Sequence, residues 1–134
     1  MISKRYKLQA ANLSGVTIAA SGISMTYLDR FLVDSPEGGI KTKARSAIVN
    51  AAQILNGAYG DLGVEIVNLQ NPLELEGTIT VVTTGSPSGT VDIYLKPSGD
   101  GVGGAYPDDG RGILVKSIAV TASGTINQTF KLKG

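Results

Sequence analysis

The stretch LELEGTITVVTTG, residues 73–85, alternates apolar and polar side chains almost without fault. Leu73, Leu75, Ile79 and Val81 fall on one side of a period of two, and Glu74, Glu76, Thr78 and Thr80 on the other. Only an extended strand with one buried face gives that period, because successive side chains of a strand point to opposite faces. The turn GSPSG follows, and then TVDIYLK, which places Val91, Ile93 and Leu95 inward and Asp92, Tyr94 and Lys96 outward. Two such runs joined by a Gly/Ser/Pro turn are expected to form a hairpin.

The rest of the C-terminal half continues the pattern. GILVKSIAVTA (112–122) is dense in β-branched residues, but Leu114, Ile118 and Val120 share a face with Lys116. Either Lys116 sits at the end of the strand or a bulge shifts the phase. In TINQTFKLK (125–133), Ile126, Phe130 and Leu132 face inward, apart from Gln128. The last sixty residues are expected to be four antiparallel strands.

The first half is less regular. GVTIAA (15–20), SMTYLDRFLVDS (24–35) and GVEIVNLQNP (63–72) have strand-like composition. ARSAIVNAAQILNG (44–57) differs: Ala44, Ala47, Ile48, Ala51 and Leu55 follow helical spacing, and Gly57 suits a C-terminal cap. Alternation can also be drawn through this segment, but the spacing favours a short helix. Eighteen glycines in 134 residues supply the turns. The expected fold is all-β, an antiparallel sandwich or jelly roll of about eight short strands, with one short helix around 44–57. Residues 1–14, polar and basic without a core pattern, are expected to form an extended arm ahead of a single domain, 15–134.

Composition narrows the chemistry. The chain has no histidine, cysteine or tryptophan. Ser-His-Asp and Cys-His nucleophile systems are therefore excluded, as are zinc sites of thiolate and imidazole and disulfides. Twelve basic residues against eleven acidic leave a net charge of +1, so no global field recruits nucleic acid or membrane. The N-terminal residues lack the apolar run of a secretory signal, and no eighteen-residue apolar run suggests a membrane span.

The densest concentration of turn residues is SGDGVGGAYPDDGRG, residues 98–112, with six glycines and three aspartates. A phosphate loop would have to open a helix, and here Tyr-Pro-Asp-Asp-Gly leads into a strand. Calcium is the better chemical candidate, through Asp100, Asp108 and Asp109, but the ligand order of an EF-hand is missing. Turn chemistry is the stronger reading: a long hairpin loop that binds no metal or other cofactor. Glu74 and Glu76 share a strand face at a spacing that two glycosidase carboxylates could use. Thr78 and Thr80 continue that face as ordinary solvated surface, and nothing there would raise a carboxyl pKa. No catalytic residue is assigned, and the chain is read as a non-enzyme. Basic residues gather at Lys4, Arg5 and Lys7; at Lys41, Lys43 and Arg45; and at Lys131 and Lys133. The candidates for attachment to a partner are Lys4, Arg5 and Lys7.

The series TVVTTGSPSGTVDIYLKPSGDG, YPDDG and LVKSIAVTASGT resembles a pattern of small virion proteins of tailed bacteriophages, the jelly-roll decoration or cement proteins of the capsid exterior. The resemblance covers about residues 73–132. It implies a structural protein made in the host cytoplasm that binds the outside of a phage head and stabilises the lattice of the major capsid protein. It also implies a homodimer or homotrimer that uses no cofactor, nucleic acid or membrane. A tail or fibre component and a carbohydrate- or surface-binding jelly roll are the alternative expectations.

Overall fold

A computed structural model describes residues 5–32, 39–67, 72–98 and 106–133. These form eight strands: β1 (Arg5–Leu13), β2 (Ile23–Leu32), β3 (Ile40–Val49), β4 (Tyr59–Val67), β5 (Pro72–Thr83), β6 (Gly89–Pro97), β7 (Ile113–Val120) and β8 (Gly124–Lys133). They build two four-stranded sheets, β4-β1-β6-β7 and β3-β2-β5-β8, in which every pairing is antiparallel. Hereafter these are the β1 sheet and the β2 sheet. Their edges draw together where β3 meets β4 and where β7 meets β8. The architecture is a β-sandwich, and its strand order is that of an eight-stranded jelly roll entered two strands before its customary start.

The core lies between the sheets. Tyr6 and Leu8 of β1, Ile23, Met25 and Tyr27 of β2, Leu75, Ile79 and Val81 of β5, and Val91, Ile93 and Leu95 of β6 are buried in it. Phe130 joins from β8, its ring set edge-on to Tyr27 at 6.3 Å. Each fully buried Leu, Ile, Val or Met contributes roughly 1.5–3 kcal/mol of transfer free energy, so this layer dominates the stability. Ile93 and Phe130 point inward and Tyr94 is only half-buried, as the alternation requires.

The phase problem at Lys116 is resolved by a bulge. Ile93 pairs with Lys116 and Tyr94 with Leu114, which leaves Val115 as the extra residue of β7. Before the bulge Ile113 and Val115 turn toward the core, and after it Ile118 and Val120 do. One added residue exchanges the faces of a strand, which is why simple alternation broke there.

Three expectations are corrected. The segment 44–57 is not a helix: residues up to Val49 belong to β3, and 50–58 form a loop tied to 14–22 by an Ile18–Ile54 bridge. Ala44, Ala47, Ala51 and Leu55, four residues of the supposed apolar stripe, are exposed. A helix there would have buried nothing, whereas the edge of β2 gains a ladder partner, so pairing overrides alanine's helix propensity. Gly57 does take positive φ (83°), but in a turn.

Second, residues 5–13 are not an arm. They form β1, which lies between β4 and β6 with Tyr6, Leu8, Gln9, Ala10, Ala11 and Asn12 all buried. Arg5 to Ala10 do alternate, polar outward and apolar inward, but the run is short, opens on basic residues and breaks at the buried Ala11 and Asn12, so it resembles a solvated segment. Residues 1–4 lie outside the described segments.

Third, β5 and β6 do not pair as a hairpin. The chain crosses from one sheet to the other through 84–88, anchored where Val82 N–H donates to Gly22 O and Ser88 N–H to Ser14 O, both at 2.8 Å. Alternation states that each run has one buried face; it carries no information on which edge each run joins.

Candidate functional site

The outward face of the β1 sheet carries the most elaborate polar construction. Along β1 the outward positions are Arg5, Lys7, Gln9 and Ala11, flanked by Glu65 and Tyr59 on β4 and by Lys96 on β6. Such positions normally meet solvent, yet Gln9 is 2% exposed and the Lys96 side chain 8%. The cover comes from residues 106–112, the C-terminal part of the glycine- and aspartate-rich segment, which form a strap across the sheet before β7 begins.

The strap is fastened at two carboxylates. Glu65 takes Arg5 on one oxygen, at 2.8 Å, and the Tyr106 hydroxyl on the other. Lys7 Nζ stands 4.8 Å above the centre of the Tyr106 ring, a cation–π contact. Further along, Asp109 Oδ1 accepts from Gln9 Nε2 at 2.5 Å and from Lys96 Nζ at 3.2 Å. Gln9 also answers the backbone of the strap, its Oε1 accepting from Gly110 N–H at 3.0 Å. Gly110 has φ of 75°, a left-handed conformation that favours glycine, and a Cβ there would press on the Tyr59 hydroxyl at 2.8 Å.

Both carboxyls are held below their ordinary ranges. For Glu65 the Tyr106 hydroxyl is the leading cause, with Arg5 and Lys7 adding to it. For Asp109 the leading cause is the Gln9 amide, followed by Lys96. Both anions are therefore ionised at neutral pH and spent on fixing the strap.

A second polar group lies inside the sandwich. The Tyr6 and Tyr27 hydroxyls are 3.0 Å apart, and Asp29, 1% exposed, stands 3.5 Å from Tyr6. Arg45 Nε donates to Asp29 Oδ2 at 2.6 Å, while one terminal nitrogen of Arg45 is buried without a hydrogen-bond partner. Burial first, and the Asp29 charge with it, pushes Tyr27 up to about 12 and Tyr6 higher still. Neither phenol can act as a base near neutral pH, so this group braces the core.

The residues singled out in the sequence are distributed as follows. Lys4 lies outside the described residues. Arg5 and Lys7 come together on the β1 sheet, where both are engaged with the strap and Glu65. Arg45 is tied inward to Asp29, and Lys41 and Lys43 are exposed. Glu74 and Glu76 are answered across the strands, Lys131 Nζ standing 3.0 Å from Glu74 and Arg30 3.3 Å from Glu76. In the aspartate-rich segment Asp108 is exposed, Asp109 is bound by Lys96 and Gln9, and Asp100 lies outside the described residues. Among the described residues no three acidic side chains converge on a point that could hold a metal ion.

Sequence reasoning missed Gln9, Glu65, Lys96 and Tyr106. Their partners are 13 to 101 residues away along the chain, so no local spacing could reveal them. The one available signal was Lys96, an outward position sharing a hairpin with the Asp-Asp-Gly of 108–110.

Comparison of the chain with protein-family models, with curated proteins and with solved structures gives no match.

Proposed function

We propose that this protein is a structural component of a virion, one that docks on the outside of a phage capsid and stabilises the lattice of the major capsid protein, and that it acts without catalysis. The observation that carries this reading is the use made of charge. Asp29, Glu65, Glu74, Glu76 and Asp109 each face a cation of the same chain, so the acidic groups best placed to do chemistry are spent on holding the β-body rigid. What is left outward is contact surface. Val64 on β4 is 80% exposed, Ile40 on β3 65% and Leu55 in the loop 50–58 55%, and the outward face of the β2 sheet carries Thr26, Thr78, Thr80 and Thr129. A rigid body with scattered apolar contacts suits a protein that gains avidity from many weak contacts on a repeating lattice. The pattern of residues 73–132, which resembles capsid cement proteins, supports the same reading.

Lys4, Arg5 and Lys7 remain candidates for attachment, with Arg5 also paired to Glu65 and Lys7 lying over Tyr106; the exposed apolar positions Val64 and Ile40 are further candidates. The test mixes purified protein with undecorated capsid shells and measures the bound fraction by sedimentation. Saturable binding that Val64→Asp or Ile40→Asp weakens supports the proposal. No binding to any shell, with binding on a glycan array, would replace it by a carbohydrate-binding function.

A further inference from the structure

The strap contacts have the form of a ligand in a site. Lys96 is an ammonium almost wholly withdrawn from water, Gln9 is buried beside it, and both converge on one oxygen of one carboxylate. Around that oxygen the other contacts read a defined shape. Gln9 Oε1 takes the N–H of the next residue, whose left-handed backbone, with the Tyr59 hydroxyl close by, favours glycine. The preceding Tyr106 adds a ring over Lys7 and a hydroxyl on Glu65. What is recognised is therefore an ionised aspartate followed by glycine in a left-handed conformation, with a tyrosine three residues before it.

We propose that Gln9, Tyr59 and Lys96 form a binding site for a Tyr-Pro-Asp-Asp-Gly turn, which residues 106–110 fill in cis and which the same turn of a second copy of this chain can fill in trans. The occupant follows from the selectivity of the site. A bare carboxylate satisfies Lys96 and one hydrogen of Gln9 but leaves Gln9 Oε1 unanswered. A turn with a side chain in place of Gly110 is strained by the positive φ that the site requires and presses on Tyr59. The segment that meets all of these conditions belongs to the chain itself, and in trans it makes the same contacts, so exchange costs only the loss of the covalent link. The Asp109 side chain is 60% exposed, so the turn is open to replacement from outside. This inference stands on the site's geometry and is independent of the capsid reading.

The experiment pairs two damaged chains. Asp109→Ala keeps the site and loses the ligand; Gln9→Ala with Lys96→Ala keeps the ligand and loses the site. Each alone should sediment as a monomer, and an equimolar mixture should contain a heterodimer. As a control on the site, the capped peptide Tyr-Pro-Asp-Asp-Gly-Arg is titrated into the Asp109→Ala protein. It should bind, and adding Lys96→Ala should weaken that binding roughly tenfold or more, the usual loss for a charge-assisted hydrogen bond. A mixture that stays monomeric while the peptide binds overturns exchange between copies. No peptide binding by a folded Asp109→Ala protein overturns the site itself. Neither result bears on sedimentation with capsid shells.

Discussion

The two ends of the sandwich are closed by different chemistry. At one end, where β1 and β3 finish, two buried asparagines bind the loops 14–22 and 50–58 together. Asn12 Nδ2 donates to Val16 O and Ile54 O, and its Oδ1 accepts from Ser14 N–H and Ser14 Oγ. Asn50 accepts from Ile23 N–H and donates to Ala19 O and Ala52 O. Toward the other end the interior holds Tyr6, Tyr27, Asp29 and Arg45, a charged group in which one guanidinium nitrogen has no hydrogen-bond partner. The two amides are neutral and fully hydrogen-bonded, so they cost little desolvation and fix the loops by geometry. The charged group carries a full ion pair out of water, where the penalty of burial offsets much of the attraction. The difference teaches that similar burial can mean a clamp at one end and a conditional brace at the other.

The comparison is broken most severely at Asp29. Asp29→Ala leaves Arg45 buried and uncompensated and should cost about 3–5 kcal/mol in urea unfolding, whereas the paired change Asp29→Leu with Arg45→Met should be near neutral or stabilising. If the double variant is as unstable as the single one, the pair is a true source of stability and the contrast fails.

Asn50→Ala should come next, at about 1–3 kcal/mol, because it leaves the buried Ile23 N–H without its acceptor and removes the ties to Ala19 O and Ala52 O. No isosteric apolar change should rescue it, unlike the charged end. A loss below about 0.5 kcal/mol would mean that water enters and satisfies those groups.

Alkali should discriminate the ends without mutation. Tyr6 and Tyr27 bind their protons more tightly folded than unfolded, so their contribution is complete below the ordinary tyrosine pKa of about 10. It should be lost as pH rises through the folded value of about 12 for Tyr27. Phenolate absorbance should show two late-titrating tyrosines whose ionisation coincides with unfolding. Early ionisation of all five tyrosines with the fold intact would contradict the sealed interior.

The smallest effect is expected outside both ends, at the strap. Asp109→Asn should change global stability by less than about 1 kcal/mol, as exposed pairs do, while trypsin cleavage after Arg111 accelerates. The strap carboxyls have depressed pKa values, so their contribution is present at neutral pH. It is lost only as pH falls below the ordinary carboxylate range of about 4. An unchanged cleavage rate would show that the strap is held by Tyr106 and Gly110 instead.

Strands were legible where one face is wet. Leu75, Ile79 and Val81 against Glu74, Glu76 and Thr80, or Val91, Ile93 and Leu95 against Asp92 and Tyr94, announce themselves because solvent forces polarity onto alternate positions. β1 was hidden because its basic outward residues Arg5 and Lys7 resemble a solvated arm, and the covered Ala11 and Asn12 break the alternation that Tyr6, Leu8 and Ala10 begin. β3 was hidden for the opposite reason: as an edge strand with Ala44 and Ala47 exposed, it has no face that burial had to make apolar. The site was less legible still, since Gln9, Glu65 and Lys96 belong to separate parts of the chain and each alone resembles an ordinary surface residue, while Asp109 stands out only as a metal ligand or a turn residue.

What the sequence determined by itself is the β class, the inward set of the C-terminal strands, the turns that break them, and the exclusion of imidazole and thiolate chemistry. These are local consequences of side-chain period and of which functional groups exist. Only the tertiary structure decided that β5 and β6 lie in different sheets, that residues 5–13 are the central strand β1, and that 106–112 fold back as a strap. Each is a choice of partner, and partner choice is governed by edges, crossings and contacts between residues up to 101 positions apart. A local pattern records that a face is buried; it does not record what buries it.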